Sequence, residues 1–288
     1  MYLALARILS STSLSSLREL HLSWSDAQCS NHSFHAASVS NLETGIDELS
    51  AALRKVAQLP TMKTLRLSGL FLLSAEFFNF TNLDDKRLST SWPSLEVLDL
   101  RLSSMTPAGD WYFTGDPSLA DRSQDRGTPS DSKGIDSSDS ELEDDPPTRM
   151  WKVLNGDQPY NIWRRRPNES FDLFLIAMAK SIPRMPALRK LTCRMGGAIQ
   201  ALKIDVEFLS AKEKKPVPRY RYIHPRDRKE CPIYDWPHWE VILTREEGEY
   251  NPKTTWDIPG DLKQAWNFTT GSHVDSIHVE IEGQRVEI

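Results

Sequence analysis

One apolar spacing recurs four times along the chain. The segments SLRELHL (ending at Leu22), TMKTLRL (Leu67), SLEVLDL (Leu100) and ALRKLTC (Cys193) share the pattern L-x-x-L-x-L, with Met62 and Cys193 as the departures. The closing alternation has the two-residue period of a strand that buries one face. In three of the four, a proline (Pro60, Pro93 or Pro186) stands shortly before the strand and marks a turn into it. Helices with an apolar stripe precede two of them. Ile46, Leu49, Leu53 and Val56 form one stripe, opened by Thr44-x-x-Asp47 as a capping box. Phe171, Phe174, Leu175, Met178, Ala179 and Ile182 form the other, with Ser170 as N-cap and Asp172 in the first turn. Upstream, Leu5, Ile8 and Leu9 have the spacing of a short core-facing helix.

A helix-then-strand unit repeated in one orientation gives parallel strands backed by helices, each burying its apolar face only against its neighbours. The intervals are uneven: 45 residues from Leu17 to Met62, 33 from Met62 to Leu95 and 93 from Leu95 to Leu188. A regular leucine-rich solenoid repeats every 20 to 29 residues or so, about half the first of these intervals. The expected fold is therefore α/β: an irregular leucine-rich-repeat-like solenoid of parallel strands backed by helices, over residues 1–210.

The longest interval contains a different kind of sequence. Residues 119–149 are rich in Ser and Asp and nearly free of apolar side chains, so burial cannot offset the entropy of ordering them. They are expected to form a disordered acidic insertion. Ser137, Ser138 and Ser140 lie in its acidic run, and Glu141 and Glu143 follow the last two by three residues, the pattern of acidophilic phosphorylation sites. Aromatic residues return on both sides, as Trp111, Tyr112 and Phe113 before and Trp151 and Trp163 after, so both ends of the insertion are expected to dock on the repeats. Residues 211–288 read as a mixed α/β cap of strands and a short helix, introduced by the alternation Leu202, Ile204, Val206, Phe208.

Composition narrows the chemistry. The 288 residues carry a formal net charge of −5, which argues against nucleic acid as the general partner. Three widely spaced cysteines, Cys29, Cys193 and Cys231, do not make a disulfide framework and suit a cytoplasmic or nuclear protein. The N-terminal residues lack the basic n-region of a signal peptide, no apolar run suggests a membrane span, and the four N-x-[ST] sites, at Asn31, Asn79, Asn168 and Asn267, are taken as chance matches. Cys231, Asp235 and His238, with His224 nearby, include zinc-ligand types, but no second ligand pair with metal-site spacing accompanies them. No nucleophile-elbow, phosphate-loop or dinucleotide motif occurs. Neither an enzyme activity, nor a cofactor, nor a metal is expected.

Three stretches carry a resemblance: GDWYFTGDP from Gly109, FDLFLIAMAKSIPRMPALRKL from Phe171, and WEV at Trp239 followed by TTWDIPGDLKQAW ending at Trp266. Together they resemble filamentous-fungal F-box proteins with degenerate leucine-rich repeats. The resemblance implies the substrate-receptor region of an F-box type ubiquitin-ligase component. It implies a ligase adaptor as partner only where an F-box accompanies the repeats, and no L-P-x-E-[IL] segment stands near the start of this chain.

The functional expectation is a protein–protein interaction module with an unidentified protein partner. With the leucines facing the core, the alternate positions share the other face of the sheet. These are Glu19, His21, Ser23, Thr64, Arg66, Ser68, Val97, Asp99, Arg101, Lys190, Thr192 and Arg194. The alternative is nucleic-acid or phosphate binding through residues 212–229. There Lys212, Lys214, Lys215, Arg219, Arg221, Arg226, Arg228 and Lys229 interleave with Tyr220 and Tyr222.

Overall fold

In the computed structural model the four L-x-x-L-x-L segments become four parallel strands. The structure describes residues 2–11, 14–24, 29, 31–35, 38, 47–78, 92–120, 122, 161–195, 203–210, 238–244, 258–270, 277–281 and 284–286. Ten strands occur among them: β1 (Glu19–Trp24), β2 (Thr64–Phe71), β3 (Val97–Leu102), β4 (Phe113–Gly115), β5 (Arg164–Pro167), β6 (Lys190–Met195), β7 (Lys203–Leu209), β8 (His238–Thr244), β9 (Ile277–Ile281) and β10 (Gln284–Val286). Eight of them form one sheet in the order β1-β2-β3-β6-β7-β8-β9-β10, while β4 and β5 pair separately. Four helices are α1 (Tyr2–Leu9), α2 (Glu48–Ala57), α3 (Glu169–Ser181) and α4 (Gly260–Thr270).

The first leucine of each motif sits in the turn and the next two on the strand. Met62, Leu95 and Leu188 are buried, as are Leu65 and Leu67, Leu98 and Leu100, and Leu191 and Cys193. Each turn is tied to its neighbour in the same way. The carbonyl of Arg18 accepts from Lys63 N and Thr64 N, that of Lys63 from Glu96 N and Val97 N, and that of Glu96 from Arg189 N and Lys190 N. Hydroxyls on the turns reinforce this: Thr61 donates to the carbonyls of Ser15 and Leu17, and Ser94 donates to that of Pro60.

Helices fill the connections and share one apolar core with the sheet. Leu49, Leu53 and Val56 of α2, Phe171, Phe174 and Met178 of α3, and Leu262 and Trp266 of α4 all belong to it. Phe77, Phe78 and Trp92 pack as an aromatic wedge, with Phe78 edge-on to Phe174 at 5.4 Å between ring centres. Three local expectations need correction. The cap of α2 is Asp47, which accepts from Ser50 N at 3.1 Å; Thr44 and Ile46 lie outside the described residues. The cap of α3 is Asn168, not Ser170, because its carboxamide accepts from Phe171 N at 3.2 Å and also donates to Trp111 O at 2.6 Å. In α1, Ala6 and Leu9 are buried but Ile8 is 64% exposed, one helical step off the stripe they define.

Beyond β6 the sheet continues and changes direction. β7 is antiparallel to β6, β8 to β7 and β10 to β9, whereas β8 and β9 are parallel, with α4 in the connection between them. The observed architecture is a mixed α/β fold on a mostly parallel sheet. No helix among the described residues is long and apolar enough to cross a membrane.

β2 carries one irregularity with a steric cause. The β2–β3 register shifts between Leu67 and Phe71, and Gly69 in that interval has φ of +114°. A Cβ on Gly69 would lie 1.6 Å from the carbonyl oxygen of Trp24 on the paired strand. Only glycine fits there. Gly69→Ala is expected to destabilise the protein by at least about 2 kcal/mol, a combined cost of left-handed strain and backbone displacement. Urea unfolding of the variant and the parent, compared at equal m-value, measures it.

Candidate functional site: the polar face of the sheet

Register assembles this face row by row. Glu19, Thr64, Val97 and Lys190 are lateral neighbours, and so are His21, Arg66, Asp99 and Thr192. Ser23 pairs with Ser68, and Arg101 with Arg194, across the interval where β2 bulges. All twelve residues singled out from the sequence therefore share one side of four adjacent strands. The helices α1 to α4 lie against the other side, where the core residues point. Eleven of the twelve retain solvent access; Thr192 does not, with 3% of its surface exposed, and it donates instead to Glu207 Oε1 at 3.3 Å.

Strand β7 adds an acidic border that the repeat pattern alone did not reveal. Glu207 stands beside Thr192 and Asp205 beside Arg194. Lys190 pairs with Glu207 at 2.5 Å, and Arg194 Nε lies 3.7 Å from Asp205 Oδ1. The signal was present in the chain. Lys203, Asp205 and Glu207 alternate with apolar residues, and only seven residues (196–202), beginning with Gly196-Gly197, separate β6 from β7. So short a link favours an antiparallel neighbour, since a parallel crossover needs about a dozen residues or more. Two cations on the face, Arg66 and Arg101, are exposed and have no ion pair among the described residues. Between them in sequence lies Asp99, whose Oδ1 is closed to solvent and accepts no hydrogen bond among the described residues.

A charged rim closes the N-terminal end of the strands. Glu96 receives Lys63 Nζ at 2.8 Å and has Arg189 at 3.9 Å. The hydrogen bond from Lys63, with the positive charges of Lys63 and Arg189, holds the Glu96 carboxyl below its ordinary value of 4.5.

A second polar cluster lies where the two ends of the long interval meet. β4 and β5 form an antiparallel ribbon; Trp111 and Tyr112 before it and Phe113 in it are buried, as expected for the leading flank, Trp163 is half-buried, and Trp151 lies outside the described residues. Buried His32 accepts at Nδ1 from Trp163 N (2.9 Å) and Arg164 N (2.7 Å). The guanidinium of Arg164 donates back to His32 O at 3.0 Å and stacks 4.2 Å from the Trp163 ring centre. Burial lowers the Arg164 pKa, while Asp110 opposes that shift. The imidazole serves as a backbone acceptor here, and with Arg164 it ties residues 31–35 to residues 161–164 as a clasp.

Among the described residues no group of His, Cys, Asp and Glu is arranged to hold a metal. Cys29 and Cys193 are buried thiols, and burial pushes the Cys193 thiol far above its usual range, the opposite of what an activated nucleophile needs. Several sequence features lie outside the described residues: Ser137, Ser138 and Ser140, the basic residues of segment 212–229, and Cys231 and Asp235. Searches against protein-family models, curated proteins and solved structures found no match.

The Glu96 shift has a definite sign in stability. Because its folded pKa lies below the unfolded one, the stabilisation is complete above about pH 5 and is lost as pH falls through the folded value. All three side chains are partly solvated, so it amounts to no more than about 1 kcal/mol. Glu96→Gln is expected to flatten the acid limb of the stability–pH curve between about pH 5 and 3. Chemical denaturation at half-unit pH steps checks this, and parallel curves for both proteins would refute it.

Proposed function

We propose that the chain is a degenerate leucine-rich-repeat-like solenoid used as a non-enzymatic protein-interaction module, receiving its partner on the polar face of β1, β2, β3 and β6. The observation that carries this is the lateral continuity of that face. Glu19, His21, Arg66, Asp99, Lys190 and Arg194 lie in adjoining rows on rigid strands, opposite the helical layer. Charges of both signs around exposed arginines suit recognition of another protein, where arginine is favoured as an anchor. A site built on strands also needs little ordering on binding. The resemblance to F-box proteins supports a more specific role as the substrate-receptor region of a ubiquitin-ligase component.

Affinity capture from a filamentous-fungal lysate, read by quantitative mass spectrometry, tests the proposal with three baits. These are the intact chain, Arg66→Glu/Arg101→Glu on the polar face, and Lys55→Glu/Lys180→Glu on the helices, the last two carrying the same charge change. A discrete protein set held by the intact and helix-variant baits and lost by the face variant is expected. Identical sets from all three, or recovery of nucleic acid alone, would overturn it.

A further inference from the structure

The geometry points to an acidic peptide segment as the ligand of this face, bound at Arg66 and Arg101. This assignment rests on the receptor reading above and specifies its partner chemistry. The other two lysine and arginine side chains of the face each have a carboxylate within 4.0 Å: Lys190 has Glu207 and Arg194 has Asp205. Arg66 and Arg101 have none among the described residues, and both are exposed.

Their placement adds a second argument. Arg101 and Arg194 are direct lateral neighbours, an arrangement of like charges that costs stability. Asp205 offsets one of the two guanidiniums, at a separation of 3.7 Å, and leaves the other uncompensated. Arg66 belongs to the adjacent strand one row away, since its own lateral neighbour is Asp99. Diagonal neighbours of this kind stand about 7–8 Å apart, close to the separation of alternate side chains along an extended peptide. Two carboxylates at positions i and i+2 of an extended ligand would therefore meet Arg66 and Arg101 together. Guanidinium groups favour such acceptors through paired, charge-assisted hydrogen bonds. Asp99, which lies two residues before Arg101 and beside Arg66, opposes the ligand's charge, which makes it a useful reporter.

The probe is a fluorescein-labelled peptide of four Glu-Ser repeats, titrated with the full chain at about 50 mM salt and followed by anisotropy. Arg66→Gln/Arg101→Gln is expected to weaken binding by about 5-fold or more, as for two charge contacts at a solvated site. Asp99→Asn is expected to tighten it by about 2- to 3-fold, a gain that a misfolded variant would not show. Unchanged affinity in either variant, or absence of binding by the parent chain, would overturn the assignment. If the peptide fails while the arginine variant still loses its captured proteins, the acidic-ligand assignment falls and the receptor reading stands. If both experiments fail, both fall.

Discussion

The register of four parallel strands is the constraint on which the rest depends. A slip of one residue in any of β1, β2, β3 or β6 would exchange its leucines for its polar residues and place charge in the core. The turns hold that register from below. A single carbonyl before each strand accepts two N–H groups from the next, at Arg18, Lys63 and Glu96 in succession. The buried Met62, Leu95 and Leu188 lock the same turns from the core side. Both surfaces of the sheet follow: one closed by aromatic and aliphatic packing, the other a grid of polar side chains at fixed spacing.

The longest of the three uneven intervals is accounted for by the β4–β5 ribbon. Between β3 and β6 the chain runs through β4, leaves the described region and returns through β5. Because β4 and β5 pair with each other, the ends of the excursion are held together, and its length adds only slowly to the entropic cost of closure. The ribbon is joined to the core at two points. Tyr112 donates its hydroxyl to Leu73 O at 2.5 Å, and Asn168 links Trp111 O to the first turn of α3. Burial raises the Tyr112 phenol well beyond its ordinary range, so it remains a donor there at any ordinary pH. A helix cap that also anchors a ribbon explains why α3 begins where it does, two residues before the serine that local capping rules single out.

Periodicity made the sheet legible because spacing of two reports which side chains share a face, and the prolines located the turns. It correctly grouped His21, Arg66, Asp99 and Arg194, residues up to 173 positions apart, on one surface. What it does not encode is the identity and direction of a lateral neighbour. Asp205 and Glu207 were visible as the polar half of a strand, yet their value as partners of Arg194 and Lys190 arises only when β7 lies against β6. Solvent access is likewise a property of the surroundings. Thr192 occupies the same face as Lys190 and Arg194 and is nevertheless closed, while Ile8 is apolar and exposed.

Link length settles what apolar patterning leaves open at the β6–β7 seam, and charge agrees with it. Ile204, Val206 and Phe208 would face the core in either strand direction, so burial alone does not choose between them. The link of only seven residues is too short for the crossover that a parallel β7 would need. The antiparallel arrangement instead brings Glu207 to Lys190 and Asp205 to Arg194, and gives Thr192 an acceptor. The same pairing engages the cations nearest β7, while Arg66 of β2 and Arg101 of β3 have no ion pair among the described residues. The electrostatic asymmetry of the polar face is thus a consequence of how the sheet changes direction. Four strands repeat one unit, the fifth reverses, and the reversal determines which arginines remain for another molecule to meet.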